Sequence, residues 1–174
     1  MQGSNIESIL AWANNQMKGI KSDWMSPLRV ADTLYRISLR AEVALERLEK
    51  LPPDHYSSDE LDQTLSDIDG FAMIGRYYEQ KIRGACMLAM FEYTKNEQYR
   101  KAAIMYLEQA KTFWNKYATI YTIKNKPALY NRVGYVDMEK LKENVQADID
   151  MVKNWKPGSN PFKAAQKTEV PFKQ

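Results

Sequence analysis

The residues best placed to do chemistry lie in one run, Gly75-Arg-Tyr-Tyr-Glu-Gln-Lys-Ile-Arg-Gly84. At heptad spacing Leu65, Ala72, Glu79 and Cys86 share a line, which sets the Glu79 carboxylate into a mostly apolar stripe. Arg76 stands three residues before it and Arg83 four after, both within reach on the same helix surface. A carboxylate clamped by two guanidinium groups suits either of two tasks. It can bind a ligand, or it can serve as a structural ion pair that sets helix register, which is the commoner use. Asp62, Asp69, Arg76 and Arg83 form a second line, a polar flank facing other helices.

The second candidate group is aromatic. Eleven Tyr and four Trp against five Phe is a bias toward rings with a polar edge, which can stack on sugars or partner surfaces. Trp114, Tyr121, Tyr130, Arg132 and Tyr135 are the candidate contact surface, around the end of one long helix and the loop after it. The plainer reading is that these rings cap the bundle end and satisfy their hydroxyls internally.

Other chemistries find little footing. Asp67, Asp69 and Glu79 are acids of the type glycoside hydrolysis uses in pairs, but nothing selects one pair among 22 acids. His55 follows Pro52-Pro53 in an interhelical turn and reads as a solvated loop residue. Cys86 lies in the apolar stretch 85–91 and reads as a small buried hydrophobe rather than a nucleophile. One His and one Cys exclude multi-His and Cys-rich metal sites and an intrachain disulfide. A Gly-rich phosphate loop is absent as well. No catalytic residue, metal or cofactor is therefore assigned.

The elements that must carry these residues read as helices. Ser4 and Glu7 have capping-box spacing, opening a helix from Ser4 to about Gly19 with Ile6, Ile9, Leu10, Ala13 and Met17 on one face. Ser26 caps a second helix with Pro27 at its first position. Leu28, Ala31, Leu34, Tyr35, Ser38, Ala41, Leu45 and Leu48 follow at helical spacing, until Pro52-Pro53 ends it. Ser57 and Glu60 form another capping pair, opening a helix to about Lys95 with a bend expected near Gly70 or Gly75. Its seam is Leu61, Leu65, Ile68, Ala72, Gly75, Ile82, Ala85 and Ala89, whose small members let a neighbour approach closely.

A fourth helix spans about Glu97 to Ile123, with Ala103, Tyr106, Ala110, Phe113, Tyr117 and Ile120 inward and Leu107, Trp114 and Tyr121 flanking. A loop from Lys124 to Val136 precedes a last helix, capped by Asp137 and ending at Pro157-Gly158. The fold class is thus all-α, an up-down helical bundle of four to five helices. Residues 1–156 form one domain and 157–174 an extended or disordered tail.

The net charge of +3 resides in the tail, since residues 1–155 carry 21 basic and 21 acidic side chains. That balance offers no broad basic face, so nucleic acid is not an expected partner. Residues 54–69 hold six acids and no base, while Lys116, Lys124, Lys126 and Arg132 lie beyond. An antiparallel hairpin turning near Asn96 sets these opposite charges side by side. No apolar run approaches the ~20 residues of a membrane span. The segment 99–110 has the look of a tetratricopeptide helix, but no copy recurs at a 34-residue period.

Three stretches carry a resemblance: Ser-Pro-Leu-Arg-Val-Ala-Asp at 26–32, Gly-Arg-Tyr-Tyr-Glu-Gln-Lys-Ile-Arg-Gly-Ala at 75–85, and 114–117 with 130–135. Over about 26–155 the chain resembles an all-helical C-terminal accessory domain of large bacterial glycoside hydrolase-like, polysaccharide-processing proteins. The resemblance implies a non-catalytic module that docks or supports a catalytic module of the same parent protein, with glycan contact as a further role. It also implies a secreted or periplasmic setting, the polar N-terminus then belonging to an excised domain. A free-standing cytoplasmic helical-bundle adaptor for a protein or peptide is the alternative, with Met1 as native start. A small bundle enzyme using Glu79 with Arg76 and Arg83 is the third.

Overall fold

A helix that buries its neighbours on several sides organises the chain. The computed structural model describes residues 5–50, 59–132 and 134–159. In order they form α1 (Ile9–Lys18), α2 (Pro27–Glu49), α3 (Asp59–Thr94), α4 (Glu97–Lys124), β1 (Ala128–Tyr130), β2 (Gly134–Val136) and α5 (Leu141–Lys153). The expected all-α class is found, with one two-stranded hairpin added. α3 packs against α1, α2 and α4, and α5 lies on α4. α2 and α5 are therefore flanks of a central α3–α4 pair.

α1 starts one turn later than its expected capping box. Ser8 is the cap, its Oγ accepting from the Ala11 N–H at 3.2 Å, and Ser4 lies outside the described residues. Glu7 is instead held in an extended approach to the start of α2. Its N–H donates to the Met25 carbonyl at 2.9 Å, and its buried carboxylate accepts from Asn15 Nδ2. Long-range pairing has displaced a local cap. The other end closes at Gly19, whose φ of 66° lets Ile20 N–H return to the Asn15 carbonyl.

α2 starts as expected, with Ser26 Oγ accepting from Arg29 N–H and Pro27 leading. It ends at Glu49, and Pro52, Pro53, His55 and Ser57 lie outside the described residues. α3 runs as helix through both Gly70 and Gly75 for 36 residues, about 54 Å. The glycines serve close approach rather than interruption. A Cβ at Gly75 would stand 2.3 Å from Ser38 Oγ of α2, and one at Gly84 3.0 Å from Leu107 of α4. The seam on α3 is also broader than expected. Tyr77, Phe91 and Met73 are buried, whereas Ile68 is 37% exposed, because three helices share this one.

α3 and α4 form the expected antiparallel hairpin around Lys95-Asn96, with Asn96 Oδ1 capping α4 at Gln98 N–H. Lys124 Nζ reaches the Asp62 carbonyl at 3.3 Å. Asp69 feels Lys116 across the gap; burial first and Glu49 second still hold its carboxyl above the usual carboxylate range. The inward stripe of α4 is rotated from the expected one. Ala103, Leu107, Ala110, Trp114 and Ala118 are buried, while Tyr106, Phe113, Tyr117 and Ile120 are partly exposed. α5 covers the second side of α4, so the true stripe lies between the two contacts. Ala103 and Leu107 pack with Ile149 and Val152, and Ala110 and Trp114 with Val145.

The segment 124–136, expected as a loop, holds the antiparallel β1–β2 hairpin, with Leu129 opposite Tyr135 and Tyr130 opposite Gly134. Asp137 caps a leading turn through Glu139 and Lys140 N–H, and α5 itself begins at Leu141. Beyond α5, Trp155 is buried and its Nε1 donates to Glu92 of α3 at 2.9 Å. Gly158 N–H reaches the other oxygen of that carboxylate at 2.9 Å. The chain is therefore anchored past the end of the last helix.

The Gly75–Ser38 contact makes a specific prediction. Gly75→Ala should cost about 1–3 kcal/mol through overpacking. Ser38→Ala in the same chain should recover it, because the next neighbour of the new Cβ is 3.7 Å away. Urea unfolding of the two single variants and the double variant measures the coupling.

Candidate functional site

The Arg76–Glu79–Arg83 group forms, and its two arginines carry it from α3 to α2. The Glu79 side chain is only 3% exposed. Arg83 Nε donates to Glu79 Oε1 at 2.5 Å, and Gln80 Nε2 to Oε2 at 2.8 Å. Arg83 then spans to α2, its Nη2 donating to Asp32 Oδ1 at 2.7 Å. Burial works to lower the Arg83 guanidinium, but its hydrogen bonds to Glu79 and Asp32 outweigh this and raise it.

Arg76 is 3.8 Å from Glu79 Oε2 and 3.6 Å from Glu42 Oε1 of α2. Its guanidinium sits 4.7 Å from the Tyr35 ring centroid of α2 and 4.6 Å from that of Phe113 of α4. Arg76 therefore joins three helices by charge and by stacking, a use to which the planar guanidinium is suited. At the two glycines bracketing the motif, Gly75 and Gly84, Ser38 of α2 and Leu107 of α4 pack tightly on α3. Together these contacts make the group an interhelical clamp.

Asp67 and Glu79 do not have the spacing of a hydrolytic pair. Asp67 and Glu79 are twelve residues apart on one helix, about 18 Å, whereas glycosidase pairs stand roughly 5–9.5 Å apart. Asp67 accepts from Gln63 Nε2 at 2.8 Å on the exposed side of α3. Among the described residues no group of three or more His, Cys, Asp or Glu could hold a metal ion. Cys86 is fully buried, and burial pushes its thiol up to about 12 against the pull of Arg83.

The aromatic set is divided by the fold. Trp114 is a core residue at 8% exposure, its ring 5.0 Å from Tyr77 and 5.7 Å from Tyr117. It cannot offer a contact face, because α5 and α3 enclose it. Tyr121 and Tyr130 come together, their hydroxyls 2.6 Å apart. That hydrogen bond, with burial and the neighbouring phenols, pushes Tyr121 up to about 12. Tyr135 pairs with Leu129 on the opposite face of the hairpin, 63% and 79% exposed. Arg132 is exposed in the turn at φ 67°.

Beside the Tyr121–Tyr130 pair is a cleft of about 340 Å³ between the first half of α3 and the last turns of α4. Phe71, Tyr117, Tyr121 and Ile120 supply its apolar walls, and Gln63, Asp67, Lys124 and Asn125 its polar groups. Phe71, 74% exposed, was not among the sequence candidates. Its signal was available, since it sits one position off the small-residue seam, directly after the buried Gly70.

Two outcomes test this picture. Glu79→Gln should destabilise the protein by about 3 kcal/mol, as removal of one partner from a buried pair does, read by chemical denaturation. Cys86 should react with a thiol reagent at pH 8 only as fast as the chain opens. Labelling rates that rise in step with denaturant-induced unfolding are expected. No family model, curated protein or solved structure matches this chain, and the geometry itself must speak for function.

Proposed function

We propose that this chain is a non-catalytic helical accessory module of a carbohydrate-active protein, supporting a catalytic module and contacting glycan at the hairpin-end cleft. The cleft carries the proposal. It places an exposed ring, Phe71, and the edges of Tyr117 and Tyr121 beside amide, carboxylate and ammonium groups. Flat apolar faces next to hydrogen-bonding side chains match the alternating C–H and hydroxyl surface of a sugar ring. Glu79, Arg76 and Arg83, the residues a small bundle enzyme would use, are engaged in the clamp instead. A secreted or periplasmic setting belongs to the same reading.

The second reading is a free-standing cytoplasmic adaptor for a protein or peptide. Its support is the outer face of α2, where Ile37 is 60% exposed in the middle of the helix.

Calorimetric titration with neutral oligosaccharides separates the two. Millimolar binding is expected, and Phe71→Ala should weaken it roughly 3- to 10-fold through loss of one stacking face. No heat at saturating sugar, or equal affinity in the variant, would sink the glycan reading.

A further inference from the structure

Among the described residues, α2 is covered on one half only. Ala31 and Ser38 are buried toward α3, Leu28 meets the α1 cluster, and Tyr35 and Glu42 meet Arg76. The uncovered half carries two parallel lines. One is an apolar series alternating by four and three residues: Val30, Leu34, Ile37, Ala41, Ala44 and Leu48, the spacing of a helix-pairing seam. Ile37 and Ala44 are exposed and the other four partly so. The other line is Arg29, Arg36, Arg40 and Arg47, all exposed, spanning about 27 Å.

None of these four arginines is in an ion pair with a described residue. α2 contains no Lys, although Lys outnumbers Arg in the chain. The neutral total of residues 1–155 thus conceals a basic strip that composition did not reveal. Arg36 and Arg40 also stand one helical turn apart, a like-charged placement that opposes helix formation.

We propose that this face of α2 docks an acidic amphipathic helix of a partner protein. The partner's apolar heptad positions would lie along Val30, Ile37 and Ala44, and flanking Asp or Glu side chains would pair with Arg36, Arg40 and Arg47. A 23-residue helix is long enough for a second helix to follow. Arginine offers carboxylates a two-pronged donor, which a lysine cannot.

A second copy of the chain fits poorly. An antiparallel α2 would set its arginines against these arginines, and a parallel one would set them against the edge already buried on α3. A disordered polyanion would engage the arginines and leave the seam unused. The inference stands whatever the hairpin-end cleft binds.

The test uses the full chain and two fluorescein-labelled three-heptad peptides with Leu at the seam positions. One carries Glu at the flanking positions and the other Lys. Anisotropy should show the Glu peptide binding at least about tenfold more tightly, with the difference shrinking at high salt. The combined Arg36→Glu, Arg40→Glu and Arg47→Glu variant should invert the preference. Ile37→Asp should weaken both peptides about tenfold or more. These positions are exposed, and unchanged circular dichroism will confirm folding.

Several results would overturn the proposal. They are absent or equal binding of the two peptides, Ile37-dependent self-association in sedimentation, and capture of coiled polyglutamate that Ile37→Asp leaves untouched.

Discussion

A carboxylate taken out of water in the middle of a 36-residue helix must be met by positive charge and hydrogen bonds. Glu79 is met by Arg83 and Gln80 from its own helix and by Arg76 at longer range. Neither guanidinium stops at Glu79. Arg83 continues to Asp32 and Arg76 to Glu42, so the group ties α3 to α2 at two points. The stacking of Arg76 between Tyr35 and Phe113 extends that constraint to α4. Gly75 and Gly84 permit the approach, since side chains there would collide with Ser38 and Leu107.

A clamp at the centre leaves the two ends of the α3–α4 pair to be secured separately. At the hairpin end, the ladder Tyr77, Trp114, Tyr117 and Tyr121 carries packing outward until Tyr121 meets Tyr130. At the other end Glu92 repeats the central device in simpler form, its carboxylate accepting from Trp155 and Gly158. Glu79 and Glu92 of α3 have both become joints. The surfaces left for recognition are accordingly peripheral: the cleft around Phe71 and the outer half of α2. Both lie on rigid helices, which favours preformed sites over mobile ones.

Helix identity was legible wherever local physics decided it. Ser26-Pro27 marks its helix start because the cap and the fixed proline φ act within one turn. The bounds of α4 are nearly those expected, for the same reason. Ser4 and Glu7 misled because Glu7 bonds to Met25 and Asn15, partners at long range or in a different turn. The β1–β2 hairpin was missed because three-residue strands carry too little periodicity to be seen. Heptad spacing did place Arg76, Glu79 and Arg83 together, but whether they face a ligand or another helix depends on what Asp32 and Glu42 do from α2.

By itself, then, the sequence determined the helices, the antiparallel hairpin of α3 with α4, and the burial of Glu79 beside two arginines. Periodicity and capping are properties of a few neighbouring residues, and they hold where no distant partner competes, as Met25 does for Glu7. Tertiary structure alone decided that Trp114 is core rather than surface and that Tyr130 and Tyr135 face apart. It also decided that, among the described residues, one half of α2 stays open. Which side of a helix is covered depends on where its neighbours dock, and that is set by contacts between residues far apart in the chain.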